Sequence, residues 1–104
     1  MVQKIKSAEE FDQIVAGNEL VFVDFFANWC GPCKMLGPVV EKLSEKVTDV
    51  KFVKVDCDEL PDLAARFNVA SIPAVFVLKN GTVASQGLGF RPEAQVAELI
   101  DSAR

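Results

Sequence analysis

The sequence predicts an α/β fold in which a mixed sheet carries helices on both faces, in the order βαβαβαββα. Three observations predict it. Short apolar runs alternate along the chain with segments whose apolar residues recur at helical spacing. One run, Leu20 to Ala27, is apolar on both alternations apart from a single aspartate, the pattern of a central strand covered on both faces. Asn80-Gly81 then supplies a two-residue hairpin signal between the last two strands.

Val2 to Lys6 alternates in part and reads as an edge strand. Ser7 and Glu10 have capping-box spacing ahead of the apolar stripe Phe11, Ile14 and Val15, and Gly17-Asn18 ends that helix. After the central strand, Leu36, Val39, Val40, Leu43 and Val47 mark a second helix, with Pro38 inside it as an expected kink. Val50 to Asp56 returns to strand character, and Leu60, Leu63, Ala64 and Phe67 suggest a short helix over residues 58–67. Ser71-Ile72-Pro73 interrupts before the strand Ala74 to Leu78. Thr82 to Gln86 pairs back on it, Gly87 and Gly89 break the strand, and Pro92 suits the first turn of a last helix. Val96, Leu99, Ile100 and Ala103 form the buried stripe of that helix.

A length of 104 residues, half of them hydrophobic, favours one domain over residues 1–104 with a real core. The 11 basic and 15 acidic residues leave a net charge of -4 with no basic block, so a nucleic-acid partner is not expected. No apolar stretch approaches the roughly 20 residues of a membrane-crossing helix. The opening MVQKIKSAEEFDQ turns polar where a signal peptide has its apolar segment, which makes the cytoplasm the expected compartment.

The three cysteines are Cys30, Cys33 and Cys57, and the chain has no histidine. That composition removes Ser-His-Asp triads, Cys-His pairs and His-dependent zinc sites. Three thiols fall short of the four ligands a structural zinc needs within one chain, leaving only an intermolecular metal site as a zinc alternative. Trp29-Cys30-Gly31-Pro32-Cys33 lies where a strand ends and a helix begins. Cysteines three apart around a first turn bring their sulfurs together, and the free N–H groups of that turn favour a thiolate on Cys30. Cys30 is expected to be an exposed nucleophile, with Cys33 placed inward one turn later. Cys30 then attacks a disulfide and Cys33 resolves the mixed disulfide. Gly31 lets the chain turn, and Pro32 restrains the turn and suits a helix start.

Asp24 sits inside VFVDFFA. Buried there, its carboxyl has a raised pKa and can exchange a proton with Cys33; the alternative is an exposed or water-filled edge. Lys54, in a comparable position of FVKVD, is either its charge partner or a solvated lysine. Cys57 reads as a passive thiol, with regulatory oxidation, glutathionylation or dimerisation as alternatives.

These residues resemble the thioredoxin family over nearly the whole chain. The resemblance centres on Trp29-Cys30-Gly31-Pro32-Cys33-Lys34, with Val23-Asp24-Phe25 upstream, Ser71-Ile72-Pro73 downstream, and Asn80-Gly81 and Gly89 beyond. It implies the thioredoxin fold: three α/β/α layers, a mixed five-stranded sheet of order 1-3-2-4-5, and two of the four helices on each face. It implies a cis bond before Pro73, which shapes the site and discourages metal capture. Ile72 would pair with an extended substrate, and Trp29, Gly31, Pro32, Ala70, Ile72 and Gly89 would form an apolar docking surface around Cys30. Phe90 either extends that surface or caps the last helix. Phe26 and Ala74 stand where the family often has tryptophan and threonine.

By this resemblance the protein is a general protein-disulfide reductase, expected to be a monomer. It binds no cofactor itself and has no G-x-G-x-x-G fingerprint. Its electrons come from NADPH through a flavin-containing thioredoxin reductase, or from ferredoxin in some lineages. Its expected clients are ribonucleotide reductase, peroxiredoxins and methionine sulfoxide reductases. The alternatives are an oxidase or isomerase on the same fold, disfavoured by Gly31-Pro32 between the cysteines, and a non-enzymatic binding subunit of a partner enzyme.

Overall fold

The computed structural model describes residues 1–104. Its elements follow the predicted order: β1 (Gln3–Lys4), α1 (Ala8–Gly17), β2 (Leu20–Phe26), α2 (Gly31–Lys46), β3 (Lys51–Asp56), α3 (Pro61–Arg66), β4 (Ala74–Lys79), β5 (Thr82–Leu88) and α4 (Glu93–Ala103). The strands form one five-stranded sheet in the order β1-β3-β2-β4-β5, as the resemblance implies. β2 pairs parallel with β3 and antiparallel with β4, so both of its edges are occupied. No helix is long and apolar enough to cross a membrane.

The alternation of β2 explains the layers. Val23 and Phe25 point to the side covered by α1 and α3, where Phe11 and Leu63 meet them. The Phe25 ring lies 5.3 Å from that of Phe67 and 5.6 Å from that of Phe76. Phe22 points to the opposite side, where Leu36 and Val40 of α2 and Val96 and Ile100 of α4 cover it. Asp24 shares that second face, beneath α2.

Local signals decide the element ends. Ser7 caps α1 by accepting the Glu10 N–H at 3.1 Å, while Glu10 Oε1 reaches back to the Lys6 N–H at 2.8 Å. Pro38 is accommodated inside α2 on its exposed side. The hairpin residues Asn80 and Gly81 both have positive φ, 51° and 82°, the conformation a two-residue turn of this kind requires.

Three elements depart from the sequence reading by two residues or more. The edge strand β1 is only two residues long. The third helix starts at Pro61 rather than residue 58, because proline fits a first helical turn and Asp56 holds the preceding residues in a turn. Gly87 does not break β5, which runs on to Leu88. It is the packing surface for a neighbour: a Cβ at Gly87 would stand 2.7 Å from Arg91 Nε and 3.1 Å from a Leu99 methyl. Gly89, with φ +78°, follows the strand's end.

Gly81→Ala should cost about 1 kcal/mol, because φ +82° disfavours any side chain. Urea unfolding measures it, and a loss below a few tenths of a kcal/mol would contradict the turn assignment.

Candidate active site

The site is built where β2 ends and α2 begins. The Cys30 N–H turns back to the Ala27 carbonyl at 3.2 Å, and Cys30 becomes the N-cap of α2. Its Sγ accepts the Cys33 N–H at 3.2 Å, so a sulfur occupies the place where serine or aspartate usually caps a helix. Pro32 lies in the first turn, where its missing N–H costs nothing. Cys30 and Cys33 are joined by a disulfide with their Cα atoms 5.2 Å apart.

The expected exposure of Cys30 is corrected here. Cys30 is 5% exposed and Cys33 6%, because Ala27, Phe26 and Ile72 pack against the pair. Cys30 Sγ also lies 3.8 Å from the Ile72 carbonyl. Ile72–Pro73 is a cis peptide. The exposed part of the site is its rim: Trp29 is 72% exposed, and Gly31 and Pro32 are exposed as well.

A groove of about 380 Å³ runs beside the pair and brings Trp29, Ala70 and Ile72 together. Val69, Ser71 and Cys57 line it too, although the sequence reading gave them no part in a docking surface. Gly89 is not in this groove; its N–H donates to the Pro73 carbonyl at 2.8 Å. Phe90 is 41% exposed.

Two acidic residues organise the rim without having been read from the sequence. The Trp29 indole N–H donates to Asp58 Oδ2 at 2.9 Å. Buried Asp56 accepts the Asp58 N–H at 2.8 Å and the Asn28 amide at 3.5 Å, tying the end of β3 to the loop before Cys30. Nothing in their spacing announces this. The only sequence signal is acidic residues directly after a strand, which commonly form turns.

Asp24 is 4% exposed, and its Oδ1 has no hydrogen-bond partner. Burial pushes its pKa up to about 7, against the lowering pull of Lys54. Lys54 is opposite Asp24 in the register of β2 and β3. Its ammonium stands 5.8 Å from the centroid of the Phe26 ring. A cavity of about 190 Å³ has Asp24, Cys33, Asn28, Lys34 and Lys54 on its wall, with Phe26 and Ala27 beside them, so the carboxyl and the inner cysteine face one space. No group of three or more histidine, cysteine, aspartate and glutamate side chains is placed to hold a metal ion.

The thioredoxin family profile matches residues 2–102. Thioredoxin-1 of Saccharomyces cerevisiae is 45% identical over 94 residues, covering 90% of this chain and 91% of that protein. Thioredoxin 1 of Plasmodium falciparum is 45% identical over 101 residues, covering 97% of this chain and 96% of that protein. A solved structure of Plasmodium falciparum thioredoxin superposes with a TM-score of 0.93 at 41% identity, covering 99% of this chain and all of that one.

The chain belongs to the thioredoxin family. It is a thiol–disulfide oxidoreductase with Cys30–Cys33 as its redox-active pair. Its departures from the usual thioredoxin pattern fit the packing around them. Phe26 is half-buried and carries Lys54 on its ring, and Ala74 is fully buried. Cys57 is the free thiol, half-buried, with its N–H bonded to the Phe26 carbonyl at 2.9 Å. Burial, then the charges of Asp56, Asp58 and Asp24, push the Cys57 thiol pKa up, the opposite of what an activated thiol needs.

The raised Asp24 pKa makes stability fall with pH. The folded state holds this proton at pH values where the unfolded chain, at 3.8, has released it. Between about pH 4 and pH 7 the Asp24 contribution to stability therefore falls, by about 4 kcal/mol in all. Asp24→Asn removes that slope and should make the variant more stable than the parent at pH 8. Urea unfolding across pH checks it, and an unchanged slope would overturn the burial argument.

Proposed function

We propose that this oxidoreductase is a general protein-disulfide reductase. The observation that carries the proposal is the Cys33 N–H donating to Cys30 Sγ at the first turn of α2, an arrangement that stabilises a thiolate on Cys30 once the disulfide is reduced. Cys30 attacks one sulfur of a client disulfide; the Cys30–client bond forms and the client's second sulfur leaves as a thiolate. Asp24, as a carboxylate, takes the Cys33 proton through the cavity they share. Cys33 then attacks Cys30 Sγ, the mixed disulfide breaks, and the client's remaining sulfur departs. Two electrons pass to the client and Cys30–Cys33 is left oxidised.

The groove beside Trp29, Ala70 and Ile72 receives the client as an extended segment, with the Ile72 backbone beside the attacking sulfur. Pro73 and Gly89, outside the groove, brace the chain that follows Ile72 through the bond between their backbones. Gly31 and Pro32 keep the two sulfurs in register. Lys54 moderates the Asp24 carboxyl. In this reading the protein works in the cytoplasm and is recycled from NADPH by a flavin-containing thioredoxin reductase. Its clients include ribonucleotide reductase, peroxiredoxins and methionine sulfoxide reductases.

Equilibration against a dithiol buffer should give a reduction potential near roughly -270 mV; a value above about -200 mV would redirect the assignment to an oxidant or isomerase. Cys30→Ser should abolish disulfide reduction. Cys33→Ser should instead accumulate mixed disulfides, visible on a non-reducing gel of a client mixture, and their complete absence counts against the two-step route.

A further inference from the structure

Asp24 is approached from two sides. Besides the cavity shared with Cys33, a second one of about 230 Å³ has Asp24 and Lys54 on its wall, together with Val2, Pro38, Val40 and Glu41. It reaches no cysteine and has Val2, the residue ahead of β1, on its wall. The two spaces have Asp24, Gly37 and Lys54 in common, so the carboxyl forms part of the partition between them. A cavity of this volume with charged walls has room for several waters, yet Oδ1 itself is sealed from solvent. Water that reached the orphaned Oδ1 would stabilise the carboxylate over the acid.

Glu41 ties one wall of this second space to the other. Its Oε2 accepts the Val2 N–H at 3.2 Å, a link between α2 and the residue preceding β1. The N-terminal ammonium adds an exposed contact to Oε1 at 3.9 Å. β1 has only two residues in the sheet, both paired with β3, so little else fixes the chain ahead of Gln3. Val2 packs against the apolar layer beneath α2.

We propose that Glu41 is a positioning residue for disulfide exchange: by holding Val2 across the second cavity it keeps water from the back of Asp24, and so sets the pH range in which Asp24 accepts the Cys33 proton. The inference rests on the proton-accepting role given to Asp24 above and adds a residue that touches neither client nor cysteine. The charged and titratable groups around Asp24 are Lys54 from β3, Glu41, Lys34 and Cys33 from α2, and Cys57 just beyond β3. β4 presents Val75 opposite Asp24.

Two explanations of a Glu41 effect separate cleanly. A latch depends on an oxygen that accepts the Val2 N–H, whereas a simple charge effect depends on the negative charge. Glutamine keeps the first and removes the second. The test follows the Asp24 carboxyl carbon by NMR titration of the oxidised protein, alongside the pH profile of single-turnover reduction of a disulfide-bonded client. Glu41→Ala should lower the Asp24 midpoint by about half a unit or more and move the rate profile with it. Glu41→Gln should restore the parent values. Val2→Gly keeps the backbone bond but removes the covering side chain, and should shift the midpoint in the same direction as alanine at position 41.

An unmoved midpoint in both Glu41→Ala and Val2→Gly would overturn the proposal, as would Glu41→Gln shifting as far as Glu41→Ala. Asp24→Asn in the same rate assay distinguishes the two levels of argument. If it leaves the profile unchanged, the proton-accepting role of Asp24 fails; if it alters the profile while the Glu41 and Val2 variants do not, only the latch fails.

Discussion

Residue-for-residue pairing of β2 with β3 sets the positions from which the site follows. The register runs from Val21 opposite Lys51 to Phe26 opposite Asp56, and it puts Asp24 level with Lys54. Because neighbouring positions alternate faces, that one register buries Val23 and Phe25 in one apolar layer and turns Asp24 toward the other. A slip by one residue would exchange the faces, sending two core residues under α2 and the carboxyl among the phenylalanines. The same pairing ends with Asp56 beside the last residue of β2, where its carboxylate steadies the loop that leads to Cys30.

From this follows a division of labour between the two cysteines. Cys30 sits at a helix N-terminus, whose free N–H groups favour negative charge on its sulfur. Cys33, one turn in, has no such assistance and instead faces the space that holds Asp24. The electrostatics of the helix end lower the cost of one thiolate, and the desolvated carboxyl serves the other. Asp24 achieves this only by remaining a poor anion. A well-bonded carboxylate would have a low pKa and little appetite for a thiol proton; burial, with no partner on Oδ1 to offset it, brings this one near neutral pH.

Much of this was legible in the sequence because it depends on local rules. The capping box at Ser7, the left-handed pair Asn80-Gly81 and the doubly apolar run around Asp24 each have one physical solution, and each is found. The cysteine pair at a strand-to-helix junction was legible for the same reason, whereas strand order and the cis bond rested on family resemblance. What escaped the reading depends on distant neighbours. Gly87 looked like a strand breaker, yet its missing Cβ makes room for Arg91 and Leu99, which no local pattern near Gly87 reveals. The tie between Trp29 and Asp58 spans 29 positions. The burial of Cys30 likewise depends on Ile72, which lies 42 positions away.

The same contrast explains why the Asp24 site has an exit as well as an entrance. A buried carboxyl on a central strand must be covered by a helix, and α2 covers it with Gly37 and Pro38 near its middle. Neither residue provides a long side chain to fill the space beneath. Two spaces are therefore left that share Lys54: one has Cys33 on its wall, the other Val2. The first is needed for proton transfer, whereas the second is a by-product of how α2 crosses the sheet. Left open, it would hydrate the carboxyl from behind and weaken its hold on a proton. Closing it asks for an acceptor one turn further along α2 and a short apolar residue ahead of the edge strand, the two features that Glu41 and Val2 supply.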